Sequence, residues 1–345
     1  MINELIIPRP DDMHLHLREG KMLKVVSQHS ASQFGRAIIM PNLKNPIINT
    51  KLANNYYDEI KKYTKTYQFE PLMTIYFNEG LTLKELKEIK ASSKIIGIKL
   101  YPKGVTTNSN EGIDSFESGY RIFEMMEVLD IPLLIHGEVN DKSVDIFDRE
   151  KMFIEKHLSR VHKEFPELRI VLEHISTKDS TEFVKDSSNK IAATITPQHL
   201  LYNRNELFLS GLRPHAFCLP VLKREEHRVA VLDAAISGNP KFFLGTDSAP
   251  HKRSEKESSC GCAGIYSALN AMEIYAEIFD QNNAIEKLEN FCSKFGADFY
   301  KLNQSKEKLK LTRSKNKVPT VIKIDNGDVV PLLAGHEIGW NCSNI

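Results

Sequence analysis

The chain is poor in several things. It has one Trp and five Cys in 345 residues, and 46 basic against 45 acidic side chains leave a formal charge of +1. Without a basic excess or a charge block there is no electrostatic footprint of a nucleic-acid binder or of a protein held on a membrane surface. No apolar run approaches the ~18 residues of a membrane helix. The first ten residues lack a basic region followed by an apolar stretch, so no signal peptide is expected. An odd number of Cys without an export signal points to reduced thiols and a cytoplasmic location. Cys260-Gly261-Cys262 has no second Cys pair at ligand spacing and is read as a loop. Repeats and low-complexity tracts are also missing. The balance of 41% hydrophobic and 26% charged residues is that of a globular chain.

Histidine, in contrast, is plentiful: there are twelve. Several follow short apolar, β-branched runs, which occur at 37–40, 69–75, 95–100, 131–135, 169–172, 191–195 and 241–244. Each has the length of a buried parallel strand. Amphipathic, helix-like stretches lie between them, for example 118–129, 151–165 and 224–237. With the run that leads into His14 there are eight strands, and the expected fold is a (β/α)8 TIM barrel. A doubly wound sheet is the alternative, but no Gly-rich phosphate fingerprint follows the first strand. The domain expectation is one barrel over 1–345 with a C-terminal extension from about 305. Within it the Lys-rich 305–317 is read as a surface connection, and 318–345 has strand-like runs of unassigned role.

The residues near the strand ends carry the chemistry. In Asp12-Met13-His14-Leu15-His16-Leu17-Arg18 the alternation puts both His and Arg18 on one side of an extended segment. Two imidazoles so spaced can ligate one Zn²⁺, or can form a hydrogen-bonded pair. Lys99 lies inside the apolar run Ile95–Leu100, where a lone ammonium is costly. Pairing with a carboxylate removes that cost, and so does carbamylation by CO₂, which gives an anion able to bridge two metals. His136 and His174 each end an apolar run, and together they offer donors for a second metal. Asp247 ends the eighth run, where it can touch a metal and act as general base or simply cap a turn.

Taken in this order, the set resembles the amidohydrolase superfamily. Within it the similarity is to the shorter bacterial type that interconverts N-carbamoyl-aspartate and dihydroorotate. Further matching segments are Met40-Pro41-Asn42, Gly97 to Pro102, Thr196-Pro197-Gln198-His199, Cys218 to Lys223, Gly245 to His251 and Cys260 to Gly264, and the likeness runs from about residue 6 to 300. The resemblance implies two zinc ions. One would be held by His14, His16 and Asp247 and the other by His136 and His174, with carbamylated Lys99 and a hydroxide between them. It implies Asp247 as the acid/base and a small-molecule substrate whose carboxylate meets Arg18, Asn42 and His251. The backbone at Leu219 and Ala263 would contact the ring or carboxylate, and His136 would also border the substrate. The polar segment 103–112 has the composition of a lid, in which Thr106 and Thr107 would reach the substrate. A homodimer is implied as well. Two other readings share parts of the pattern: a hydantoinase or allantoinase with the same metal cage, and a non-catalytic scaffold, which would be expected to lack ligands.

Overall fold

The structure is a computed structural model that describes residues 2–259, 261–325 and 327–345. Cys260 of the C-x-C motif lies outside the described residues. A first strand, β1 (Glu4–Pro8), precedes eight consecutive strands of one sheet. These are β2 (Asp11–Leu15), β3 (Arg36–Ile39), β4 (Glu70–Tyr76), β5 (Ile95–Leu100), β6 (Leu133–Ile135), β7 (Ile170–Leu172), β8 (Ile191–Ile195) and β9 (Phe242–Leu244). Every neighbouring pair is parallel, and helices fill the connections. The ring closes just past β9, where Asp247 N–H donates to the His14 carbonyl at 2.9 Å and His16 N–H to the Ser248 carbonyl at 3.1 Å. The chain is a (β/α)8 TIM barrel, as the run-and-helix alternation predicted. Strands β3 to β9 each lie within their predicted runs or one residue from them.

The two-residue period of a strand sorts side chains between two cores. Ile38, Leu134, Val171, Ala192 and Phe243 turn into the barrel with Met13, and Phe295 and Tyr300 join them. Their chain neighbours, such as Leu133, Ile135, Ile170 and Leu172, pack outward in the second cluster. The same alternation decides the site. Ile98 and Leu100 belong to the outer cluster, so Lys99 between them is carried inward.

The C-terminal segment departs from its predicted reading. Residues 308–317 form a ten-residue strand, β10 (Lys308–Lys317), rather than a surface connection. It pairs antiparallel with β1 on one side and with β13 (Glu337–Asn344) on the other. Only two apolar residues, Leu309 and Leu311, alternate with lysines here. Both are fully buried while the lysines face outward, a pattern too sparse to stand out from a solvated segment. A hairpin of β11 (Ile322–Ile324) and β12 (Gly327–Val329) lies between them in sequence. β13 packs against the helices Ala271–Gln281 and Gly20–Gln33. No helix among the described residues is long and apolar enough to cross a membrane.

Candidate active site

The predicted ligands meet at the C-terminal mouth of the barrel, the face on which loops after each strand can converge. His14 lies on β2 and His16 just beyond it; Lys99 lies on β5, and His136, His174 and Asp247 follow β6, β7 and β9. His14 Nε2 and His16 Nε2 are 3.4 Å apart, and Asp247 Oδ1 lies 3.4 Å and 3.1 Å from them. The ligand atoms of these three residues all fall within 4.8 Å of one another. The His174 ring stands 5.0 Å from that of His14 and 4.7 Å from that of His136. Lys99 is fully buried, and its Nζ has no hydrogen-bond partner among the described residues. His174 Nδ1 is likewise unpartnered. Orphaned buried donors and acceptors are rare unless something else occupies the site.

Carboxylates behind the ligands orient them. His14 Nδ1 donates to Glu173 at 2.8 Å, which leaves Nε2 facing His16 and Asp247. Thr194 Oγ1 donates to the same Glu173 oxygen at 2.5 Å and accepts the His174 N–H at 2.7 Å. His136 Nε2 donates to Glu138 at 2.7 Å. Asp12 accepts from His14 N–H at 3.1 Å, Thr246 N–H at 2.8 Å and Thr246 Oγ1 at 2.6 Å, tying the first strand to the segment that carries Asp247. Gly245 permits that approach, because a Cβ there would lie 2.7 Å from Thr194 Cβ. Of the three buried carboxylates behind the ligands, two had a visible signal in the sequence. Glu173 and Glu138 sit beside predicted His ligands at the ends of apolar runs, where an unpaired carboxylate is unfavourable.

Burial sets the protonation of the cluster. It pushes His14 down, and pushes His16 and His174 well below the ordinary imidazole range, with nearby Arg18 and Lys99 adding to the effect at His16. Neutral imidazoles keep the lone pairs that a metal needs. Burial also raises Asp247 against the pull of His14 and Lys99, and lowers the Lys99 amine to about 8 against Glu173 and Asp247. Three site residues hold left-handed backbone: Arg18 (φ 58°), His174 (φ 41°) and Asp247 (φ 45°). For non-glycine residues that conformation costs about 1–2 kcal/mol each.

The predicted substrate residues surround the same cavity. Arg18, Asn42, Thr106, Thr107, His136, Leu219 and Ala263 all line it, together with Tyr101 and Gly264, for which no role had been read. Arg18 Nε donates to the Pro250 carbonyl at 3.0 Å and Nη2 to His251 Nε2 at 2.9 Å. His251 packs against Arg18 and Gly264 of the cavity wall, and burial next to that guanidinium lowers it to about 2. The 103–112 segment lies across the opening. Asn42 Nδ2 donates to the Thr107 carbonyl and Asn108 Nδ2 to the Asn42 carbonyl, both at 3.0 Å.

The Amidohydrolase family model matches residues 5–311. The dihydroorotase of Picosynechococcus sp. is 52% identical over 340 residues, which is 98% of either chain. The chain belongs to the dihydroorotase family. The crystal structure of dihydroorotase from Campylobacter jejuni is 39% identical and superposes with a TM-score of 0.91 over 99% of this chain and 97% of that one. The dihydroorotase of Saccharomyces cerevisiae, solved in complex with 5-fluoroorotic acid, is 32% identical and superposes at 0.93 over 99% of both chains. Membership makes the chain a hydrolase of cyclic amides and implies a metal cofactor. The mouth fits one: neutral imidazoles, a carboxylate and an unpartnered buried amine converge on one point.

Proposed function

We propose that the chain interconverts N-carbamoyl-L-aspartate and (S)-dihydroorotate, a step of de novo pyrimidine (UMP) biosynthesis, with two zinc ions per chain. The observation that carries this reading is Arg18. Its guanidinium is pinned by Pro250 and His251 in the wall of the cavity on which the ligands converge. A cyclic amide that also bears a carboxylate would use both features, and the 5-fluoroorotic acid bound by the yeast relative is a pyrimidine carboxylic acid. Hydantoin and allantoin bear no carboxylate for Arg18 to hold.

His14, His16 and Asp247 would hold one ion and His136 and His174 the other. Lys99 would bridge them as the carbamate formed when its neutral amine adds CO₂ and loses a proton. Zinc bound at such a site supplies Lewis-acid polarisation of a carbonyl and makes water more acidic. Arg18 pairs with the substrate carboxylate through its planar fork, and Asn42 flanks it. His251, bonded to Arg18, meets the carboxylate beside it. Thr106 and Thr107 close over the substrate, and the backbone at Leu219 and Ala263 borders the ring. In ring opening Asp247 takes a proton from water as the water oxygen bonds to the ring carbonyl carbon. It then returns that proton to the ring nitrogen as the C–N bond breaks. Closure is the reverse and releases water. Cytoplasmic residence, read from the cysteine usage, and a homodimer, implied by the family resemblance, complete the reading.

The test is substrate preference of the zinc-loaded protein. Charge-assisted binding of the carboxylate is expected to favour dihydroorotate over hydantoin by at least about 100-fold in kcat/KM. Opening of hydantoin without turnover of dihydroorotate overturns the substrate assignment.

A further inference from the structure

Two loop segments, 217–219 and 262–264, bring main chain to the mouth, and Leu219, Ala263 and Gly264 line the cavity. Neither segment is helix or strand. A loop keeps its backbone in one place only when its polar groups are tied down.

Lys256 provides the tie. It ends the short helix Arg253–Lys256 and is only 3% exposed. Its Nζ donates to the carbonyls of Phe217 at 2.8 Å, Cys262 at 2.8 Å and Gly264 at 2.7 Å. Those three bonds use all three ammonium protons. A buried ammonium that served no purpose would be a net cost. Here one cation joins both loops at a single point. Gly264 N–H adds a direct link to the Phe217 carbonyl at 3.0 Å. Gly264 has φ +145°, and a Cβ there would lie 2.7 Å from the Ala249 carbonyl, so only glycine fits the closed arrangement. The Ala263 carbonyl, between two of the tied residues, receives Thr107 Oγ1 at 3.5 Å from the loop across the opening.

We propose that Lys256 is a positioning residue for substrate binding: its ammonium fastens together the two loops whose main chain borders the substrate. The proposal rests on dihydroorotate as substrate. Among the described residues the Lys256 ammonium bonds main-chain carbonyls and no metal-ligating side chain, so its effect falls on binding and not on bond breaking.

The experiment uses the zinc-loaded full chain and Lys256→Met, which keeps the apolar stem and removes the donors. KM for dihydroorotate is expected to rise about tenfold while kcat stays within about threefold and zinc content is unchanged. Amide hydrogen exchange is expected to quicken in the peptides covering 217–219 and 262–264 and to stay slow in β5, β6 and β7. Unchanged KM with unchanged exchange overturns the proposal, as does faster exchange spread evenly over the barrel. Lys256→Gln, which retains two N–H donors, replaces the Met variant where that variant does not fold. It is expected to show the same split to a smaller degree, and a wild-type KM overturns the proposal. Exchange is read without substrate. If the wild-type chain did not turn over dihydroorotate, the substrate assignment would fall while exchange still decided whether Lys256 ties the loops.

Discussion

At the mouth of the barrel, Arg18, His174 and Asp247 hold left-handed backbone, and Lys99 and Asp247 are ionisable groups kept from water. In the sheet of β1, β10 and β13, the buried positions include instead Ile7, Leu309, Leu311, Ile338 and Trp340, between 0% and 1% exposed. The first region spends stability on geometry that only a ligand can use; the second gains it by burying apolar surface. The two regions should therefore respond to mutation in opposite ways.

The largest effect is expected from Asp247→Asn. Loss of the acid/base group should lower kcat for dihydroorotate by about 10²–10⁴-fold, while the melting temperature holds or rises, because a buried charge is removed. Near-normal turnover would exclude Asp247 from proton transfer, and a large fall in melting temperature would break the contrast. Leu311→Ala should do the reverse. The cavity is expected to cost about 2–5 kcal/mol in denaturant unfolding, with kcat per folded molecule unchanged.

A smaller effect is expected from Asp130, at the opposite end of the barrel from the mouth. Burial opposes its ionisation, but hydrogen bonds from Lys301 and Arg169 outweigh that and hold the carboxyl at about 2. A depressed carboxyl stabilises the fold above its unfolded value of 3.8, and the contribution is lost as pH falls through about 2. The side chain is 34% exposed, so screening reduces the contribution to about 1 kcal/mol. Asp130→Asn should remove that amount at pH 7 and flatten the stability profile between pH 4 and 2. A mutant profile parallel to wild type over that range would contradict it.

The same contrast explains what was legible in the sequence. Parallel strands buried on both faces write themselves as continuous apolar runs, so the barrel could be read, and His14, His16, Lys99, His136, His174 and Asp247 stood out because they interrupt or end those runs. Glu173 and Asp12 were visible as residues but not as partners of His14 and Thr246, since pairing across more than a hundred positions is a property of the closed ring. The tie made by Lys256 was hidden for a different reason: its three acceptors are main-chain carbonyls, which no side-chain pattern records. The strand β10 was missed because only Leu309 and Leu311 mark its buried face. His251 is expected from the sequence beside the substrate carboxylate, and the structure sets it against Arg18, which lines the cavity.

The central claim is that the buried, unpartnered Lys99 belongs to a two-zinc site that acts on dihydroorotate. The most direct measurement is zinc per chain together with dihydroorotate turnover, on one preparation of the wild-type chain and one of Lys99→Ala. Two zinc ions and turnover are expected in the wild type, with loss of metal and activity in the variant and partial recovery of both on adding a small carboxylate such as acetate. A folded wild-type chain that holds well under two zinc ions, or a Lys99→Ala variant that keeps its metal and its rate, would contradict it.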